Sequence, residues 1–313
     1  MKKGYLCFAV LTVCAVLLGL KLCPPAVQEA DAAQWLAQKD EIQVLSGAPA
    51  GGEYVNCTRR QLLQGTLLQV SAKAPLPEDF PAPNVRGVRA VVGAYLPARE
   101  ETALTRETIQ ALCDMQYDHP LENVTITRGG VSAAQQNLCR REVFENLSLV
   151  CSLEEAAARS REVVPAGGES EHQLGTAFDL VLTGVTEMGR ADAMEWNETG
   201  LWLRENMWRY GFVRRGAPEH QDHERHVCDA LHVRYVGTVH AAAMQAGNWC
   251  LEEYLQVLRT NGAITVCVEG QRDAYVYWLP CEGNEGMTVM LPSRYGDCSL
   301  DNAGGAVFTC MEQ

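Results

Sequence analysis

Ser170-Glu171-His172-Gln173-Leu174-Gly175-Thr176-Ala177-Phe178-Asp179 is the stretch on which the reading turns. Ala177 to Leu182 alternates in the manner of a strand. Gly175 lets the chain turn sharply between His172 and that strand, which presents Asp179. Asp229-Ala230-Leu231-His232 stands further on and opens a second strand-like run, His232 to Val236. A histidine a few residues before an aspartate is a common accident of sequence. Its weight comes from the surroundings.

Two imidazoles and a carboxylate make a facial ligand set for zinc, with one coordination position left for water. Such a site keeps about one unit of positive charge, which lowers the pKa of bound water and polarises a carbonyl. Asp229, three residues before His232, is then the natural general-base candidate.

Outward from this region, Leu62 to Val70 reads as an apolar strand leaving through a proline-rich turn at Pro75 and Pro77. Thr105 to Met115 has the spacing of an amphipathic helix capped by Thr105, with Ile109, Leu112 and Cys113 on one face. Val124 to Thr127 predicts a short strand running into Gly129-Gly130. Ala133 to Ala158 is helix-forming up to the break at Pro165-Ala166-Gly167-Gly168. Leu201 to Tyr210 has helical spacing. Beyond Leu258 the pattern turns to β, with runs at 263–268, 274–279, 287–291 and 306–309. His220, His223 and His226 suggest an accessory metal or pH-sensitive patch, against which stands the plainer reading of a solvated polar loop, which we favour.

The formal charge of −13, from 39 acidic and 26 basic side chains, disfavours nucleic acid and anionic lipid as partners. Lys2 and Lys3 precede an apolar run from Tyr5 to about Leu20, which reads as an export signal. A cleaved signal and an uncleaved single N-terminal membrane anchor both fit it, and either makes the bulk of the chain extracytoplasmic. Ten of the 13 cysteines lie beyond this leader, none within a CxxC-type knuckle. Disulfides and buried small hydrophobes are both open to them.

Ser170 through Asp179 resembles the SxHxxGxAxD motif of the M15 peptidases, the family of the vancomycin-resistance-type D,D-carboxypeptidases. Trp202-Leu203-Arg204-Glu205-Asn206, leading to Tyr210-Gly211-Phe212, is similar to that family's WLxxNxxxYGF helix. His232-Val233-Arg234-Tyr235-Val236-Gly237 with His240-Ala241 resembles its HxRYVGxxHA segment, and Leu67 to Asp79 its strand and proline turn. The likeness runs over roughly residues 60 to 255. It implies an α+β fold of the Hedgehog/D,D-peptidase type, a central antiparallel sheet with flanking helices, here with a small C-terminal β appendage. It also implies a zinc-dependent carboxypeptidase that removes the terminal D-alanine of peptidoglycan stem peptides. His172, Asp179 and His232 would hold Zn2+, Asp229 would be the base, and Ser170 would position substrate. The expected organisation is a leader at 1–32, a spacer at 33–55, the metallopeptidase domain at 56–257 and the β-rich extension at 258–313.

Two positions depart from the family pattern. Glu-Pro-Trp-His is usual at the second histidine, where this chain has Asp229-Ala230-Leu231-His232. Aspartate keeps the carboxylate on an arm one methylene shorter, and a displacement of about 1 Å can cost on the order of a hundredfold in rate. Ser-Gly-Tyr-Arg-Ser is usual where this chain has Arg128-Gly129-Gly130-Val131-Ser132, so Val131 replaces the arginine that binds the substrate carboxylate. Arg128, three residues upstream, or another cation is the expected replacement, with Gln136 matching the glutamine that follows this motif in the family. The alternative expectation is a catalytically impaired member that binds cell-wall peptide or serves as an envelope scaffold.

Overall fold

The computed structural model describes residues 35–182, 197–216, 231–281, 283, 285–292 and 295–312. It divides into two compact units, residues 1–68 with 253–313 and residues 69–252. The leader at 1–32 and the three histidines at 220, 223 and 226 lie outside the described residues.

The first unit begins with the hairpin β1 (Trp35–Lys39) and β2 (Ile42–Ser46), then β3 (Glu53–Cys57) and the short helix α1 (Arg59–Leu63). The stretch expected to be a spacer thus folds. Ile42 and Val44 alternate inward and are fully buried, which is enough to place β2 inside a sheet. Leu62 to Val70, expected as a strand, instead holds the end of α1. Thr58 and Gln61 exchange hydrogen bonds in a capping box that starts the helix. Leu67 and Leu68 follow it fully buried, and the Leu67 N–H donates to the Ser299 hydroxyl rather than to a neighbouring strand.

In the second unit the chain forms β4 (Val85–Gly87), α2 (Val88–Val92), β5 (Ala103–Thr105), α3 (Arg106–Asp118) and β6 (Val124–Arg128). Then come α4 (Ala133–Ser148), α5 (Leu153–Val163), β7 (Ala177–Leu182), α6 (Glu198–Asn206), β8 (Phe212–Arg214), β9 (Leu231–Tyr235) and α7 (Thr238–Gly247). α3 is capped by Thr105 and buries Ile109 and Leu112, as the spacing predicts, while Cys113 is only partly buried and Met115 joins the core. The helix expected from 133 to 158 is two, parted where Ser152 caps α5.

β6, β7, β9 and β8 make a four-stranded antiparallel sheet in that order. One of its faces packs Ile126, Phe178, Leu180 and Val233 against Ile109 and Leu112 of α3 and Leu203 of α6. Burying side chains of this size stabilises by roughly 1.5–3 kcal/mol each. Because side chains alternate across a strand, Asp179 and His232 fall on the opposite face, and the bulge between Ile126 and Arg128 brings Arg128 opposite Asp179 there.

After α8 (Leu251–Asn261) come β10 (Ala263–Val268), β11 (Ala274–Pro280), β12 (Met287–Leu291), β13 (Tyr295–Leu300) and β14 (Gly305–Met311). β1, β2, β10, β11, β14 and β13 form one antiparallel sheet of the first unit, and β12 pairs with β3. The β-rich tail therefore shares its sheet with strands from the N-terminal side. Asp301 pins the last hairpin. Its buried carboxylate accepts from the Ala303 and Gly305 N–H groups and from the Trp278 indole.

Candidate metal centre

Arg128 is the register partner of Asp179 across β6 and β7, and Asp179 is the register partner of His232 across β7 and β9. Residues directly opposite on antiparallel strands point to the same face. Arg128, Asp179 and His232 therefore form a row across three adjacent strands. His172 reaches the row from the 3-10 turn Glu171–Leu174 that leads into β7. Gly175 ends that turn with φ +69, and a Cβ there would sit 2.5 Å from Val85 Cγ1. Only glycine meets both conditions without strain.

His172, Asp179 and His232 are all buried, and one ligand atom from each lies within 4.8 Å of the others. Asp179 bridges the two rings, with Oδ1 2.8 Å from His232 Nδ1 and Oδ2 3.4 Å from His172 Nε2. Ligand atoms around a tetrahedral zinc, with bonds of about 2.0–2.1 Å, lie roughly 3.4 Å apart. The donor set and its spacing therefore fit zinc.

Burial alone would raise the Asp179 carboxyl, but hydrogen bonds with His172 and His232 outweigh it and hold it far below the ordinary carboxylate range. The two histidines diverge. Burial pulls His172 down and the Arg128 charge adds to this, against the pull of Asp179. Burial also acts on His232, yet Asp179 and Glu171 overcome it and push the ring up to about 9. In the metal-free protein, then, the charged form of His232 is favoured, with Nδ1–H donated to Asp179 and Nε2–H to Glu171.

The remaining expected residues are placed as follows. Asp229 lies outside the described residues. Ser170 is buried immediately before the 3-10 turn, and its side chain makes no capping hydrogen bond. The Val131 N–H donates to the His172 carbonyl at 3.2 Å, so the position vacated by the family arginine borders the site. Arg128 Nη2 donates to Gln136 Oε1 at 2.7 Å, and Gln136 Nε2 donates to the Pro165 carbonyl at 2.8 Å. Gln136 is only 1% exposed with both amide ends engaged. It was expected at the substrate; here its amide oxygen accepts from Arg128 and its amide nitrogen donates to Pro165.

Residues 102–238 match the family model VanY, described as D-alanyl-D-alanine carboxypeptidase. That segment spans Arg128, His172, Asp179 and His232. It is a VanY-type carboxypeptidase segment. The D-alanyl-D-alanine carboxypeptidase of Enterococcus faecium is 28% identical over 267 residues, covering 84% of this chain and 81% of the relative. That of Enterococcus faecalis strain ATCC 700802 / V583 is 35% identical over 121 residues, covering 39% of this chain and 42% of the relative. A solved vancomycin-resistance D,D-dipeptidase, VanXYg, matches with a TM-score of 0.67 at 19% identity, over 83% of this chain and 99% of that one. That likeness shows the fold, and it agrees with the α+β architecture expected from the motifs. By kinship the chain is a hydrolase of the metallo-carboxypeptidase type.

The VanY-type motifs also contain residues to which spacing assigned no part. Glu171, between Ser170 and His172, is 2% exposed and accepts from Arg234 Nη1 at 2.6 Å and Arg215 Nε at 3.1 Å. Arg215 in turn forks onto Glu252 through two hydrogen bonds of 2.9 and 2.6 Å. The signal was present in the sequence, since a glutamate next to a ligand and an arginine two positions after His232 stand inside the quoted motifs. Arg215 and Glu252 belong to no motif, and only folding brings them in.

The other motif residues build the support. Gly211 adopts φ +83, and a Cβ there would meet the Tyr235 ring at 2.8 Å. Phe212 packs edge-on against both Phe178 and Tyr235. Trp202 stacks on His119 at 3.9 Å. The WLxxNxxxYGF segment thus buttresses the sheet rather than lining the metal centre.

Proposed function

We propose that this protein is an exported, zinc-dependent D-alanyl-D-alanine carboxypeptidase acting on the terminal D-residue of peptidoglycan stem peptides. The observation that carries the reading is the row of Arg128, Asp179 and His232 across three strands, completed by His172. His172 Nε2, Asp179 and His232 Nδ1 would hold the zinc. Bound there, zinc supplies Lewis acidity toward the scissile carbonyl and toward a water.

The chain's own residues supply the rest. Arg128 stands one strand from Asp179 and is held by Gln136, with further guanidinium donors beyond that one hydrogen bond. A planar fork of this kind matches the terminal carboxylate of a peptide. Arg128 thus anchors the substrate from the end of β6, three residues before the position the family uses. Asp229 accepts a proton as water adds across the D-Ala–D-Ala amide. The C–N bond breaks, and the proton passes to the amine of the departing D-alanine. Ser170 borders the metal residues and steadies the peptide. The apolar leader at 5–20 supports export, with or without a retained anchor.

The test is D-alanine release from a pentapeptide ending in D-Ala-D-Ala by the zinc-loaded protein, with and without chelator. Chelator-sensitive release is the expected result, and an Asp229→Glu variant is expected to exceed wild type by restoring the longer arm. Tight stoichiometric zinc without release from either protein would replace this reading by that of a wall-peptide-binding relative.

A further inference from the structure

His232 is the only member of the ligand trio with a carboxylate on each ring nitrogen. Nδ1 faces Asp179 Oδ1 at 2.8 Å, inside the ligand cluster, and Nε2 faces Glu171 Oε2 at 3.2 Å, outside it. His172 differs, because its Nδ1 is buried with no partner among the described residues. Glu171 does not rotate freely to serve His232. Its Oε1 is held by Arg234, whose side chain is wholly buried, and by Arg215, itself forked onto Glu252 in the first turn of α8.

Two carboxylates and two guanidiniums make this buried quartet neutral by itself. Glu171 is thereby charge-matched and held in place, and toward His232 Nε2 it presents a fixed acceptor. An acceptor fixed at Nε2 requires the proton on Nε2. The neutral ring must then present its lone pair from Nδ1, toward Asp179 and the space between the ligands.

We propose that Glu171 is the positioning residue of this centre, selecting the Nε2–H tautomer of His232 so that Nδ1 faces the metal. Arg234, Arg215 and Glu252 lock it in place. The inference rests on the zinc reading of the trio. It adds that, among the described residues, His232 has a carboxylate outside the trio to orient its ring, whereas His172 Nδ1 has no partner.

The test has a binding arm and a spectroscopic arm, neither requiring turnover. Zinc affinity is measured by chelator competition for wild type, Glu171→Gln and Glu171→Asp, each checked for a folded circular dichroism spectrum. Loss of such an orienting partner typically costs about 10–100-fold in metal affinity, and this is the drop expected for Glu171→Gln, with partial recovery in Glu171→Asp. In 15N-histidine-labelled, zinc-loaded wild type, His232 is expected to carry its proton on Nε2, hydrogen-bonded and slow to exchange. Should Glu171→Gln fail to fold, this wild-type spectrum decides the matter. A proton on Nδ1, or unchanged affinity in a folded Glu171→Gln, overturns the role of Glu171. Wild type that binds no zinc overturns the reading of the trio itself.

Discussion

Arg128 and Val131 lie three residues apart, and on the proposed reading Arg128 takes the terminal carboxylate in place of a residue at position 131. A charge-assisted hydrogen bond to a terminal carboxylate contributes about 2 kcal/mol, or ~30-fold in kcat/KM. Arg128→Met is expected to lower kcat/KM by that factor on a peptide with a free terminus. It should have little effect on the same peptide amidated at its C-terminus, because the anchor acts on the charge. Steady-state kinetics on the two peptides separate an anchor from a merely structural arginine. The Arg128 side chain was legible in sequence as a nearby cation. Its alignment with Asp179 was not, because the register between β6 and β7 is set by pairing between residues far apart in the chain, with a bulge between Ile126 and Arg128.

At the scale of an element, the 3-10 turn Glu171–Leu174 and its terminal Gly175 do most of the placing. Gly175→Ala would force an L side chain to φ +69 and press its methyl against Val85 and Thr105. The left-handed backbone alone costs about 1–2 kcal/mol, and the contact adds to it. For a unit of this size, about 2 kcal/mol lowers the melting temperature by ~4–8 °C. Gly168→Ala is the control, with φ +93 but open space around the new methyl, and should fall by less. Thermal melts of the metal-free proteins compare the two. The turn and β7 were readable from local pattern, since glycine and alternation are local signals. β1 and β2 were not. Their short runs, Trp35–Lys39 and Ile42–Ser46, become strands by pairing with each other and with β10, more than 200 residues away.

For the whole molecule, pH and metal act on the same group. His232 in the metal-free protein titrates at about 9, above its ordinary 6.5. A raised value means that its contribution to stability is fully present below pH 6.5 and is lost as pH rises through about 9. Glu171 and Asp179 act in the opposite sense. Their values are lowered, so their contribution is present above the ordinary carboxylate range and is lost as pH falls below it. Metal-free melting temperatures should therefore peak between roughly pH 5 and 7. On the proposed zinc reading, the metal would displace the Nδ1 proton of His232. Binding near pH 7 should release about one proton, and affinity should rise roughly tenfold per pH unit toward 9. Calorimetry in two buffers of different ionisation enthalpy measures that proton, and none released would contradict the charged His232.

The sequence by itself singled out His172, Asp179 and His232, the turn that delivers His172, the strand that carries Asp179 and the kinship with D,D-carboxypeptidases. Each rests on a contiguous motif in which residue type and spacing act within a few positions. Only the tertiary structure decided that Arg128 stands in the ligand row, that Gln136 supports it from the interior, and that Glu171 is gripped by Arg234 and Arg215, with Glu252 behind them. Those partners are set by strand register and by burial, where an unpaired charge costs several kcal/mol and each must therefore meet its complement from a distant part of the chain.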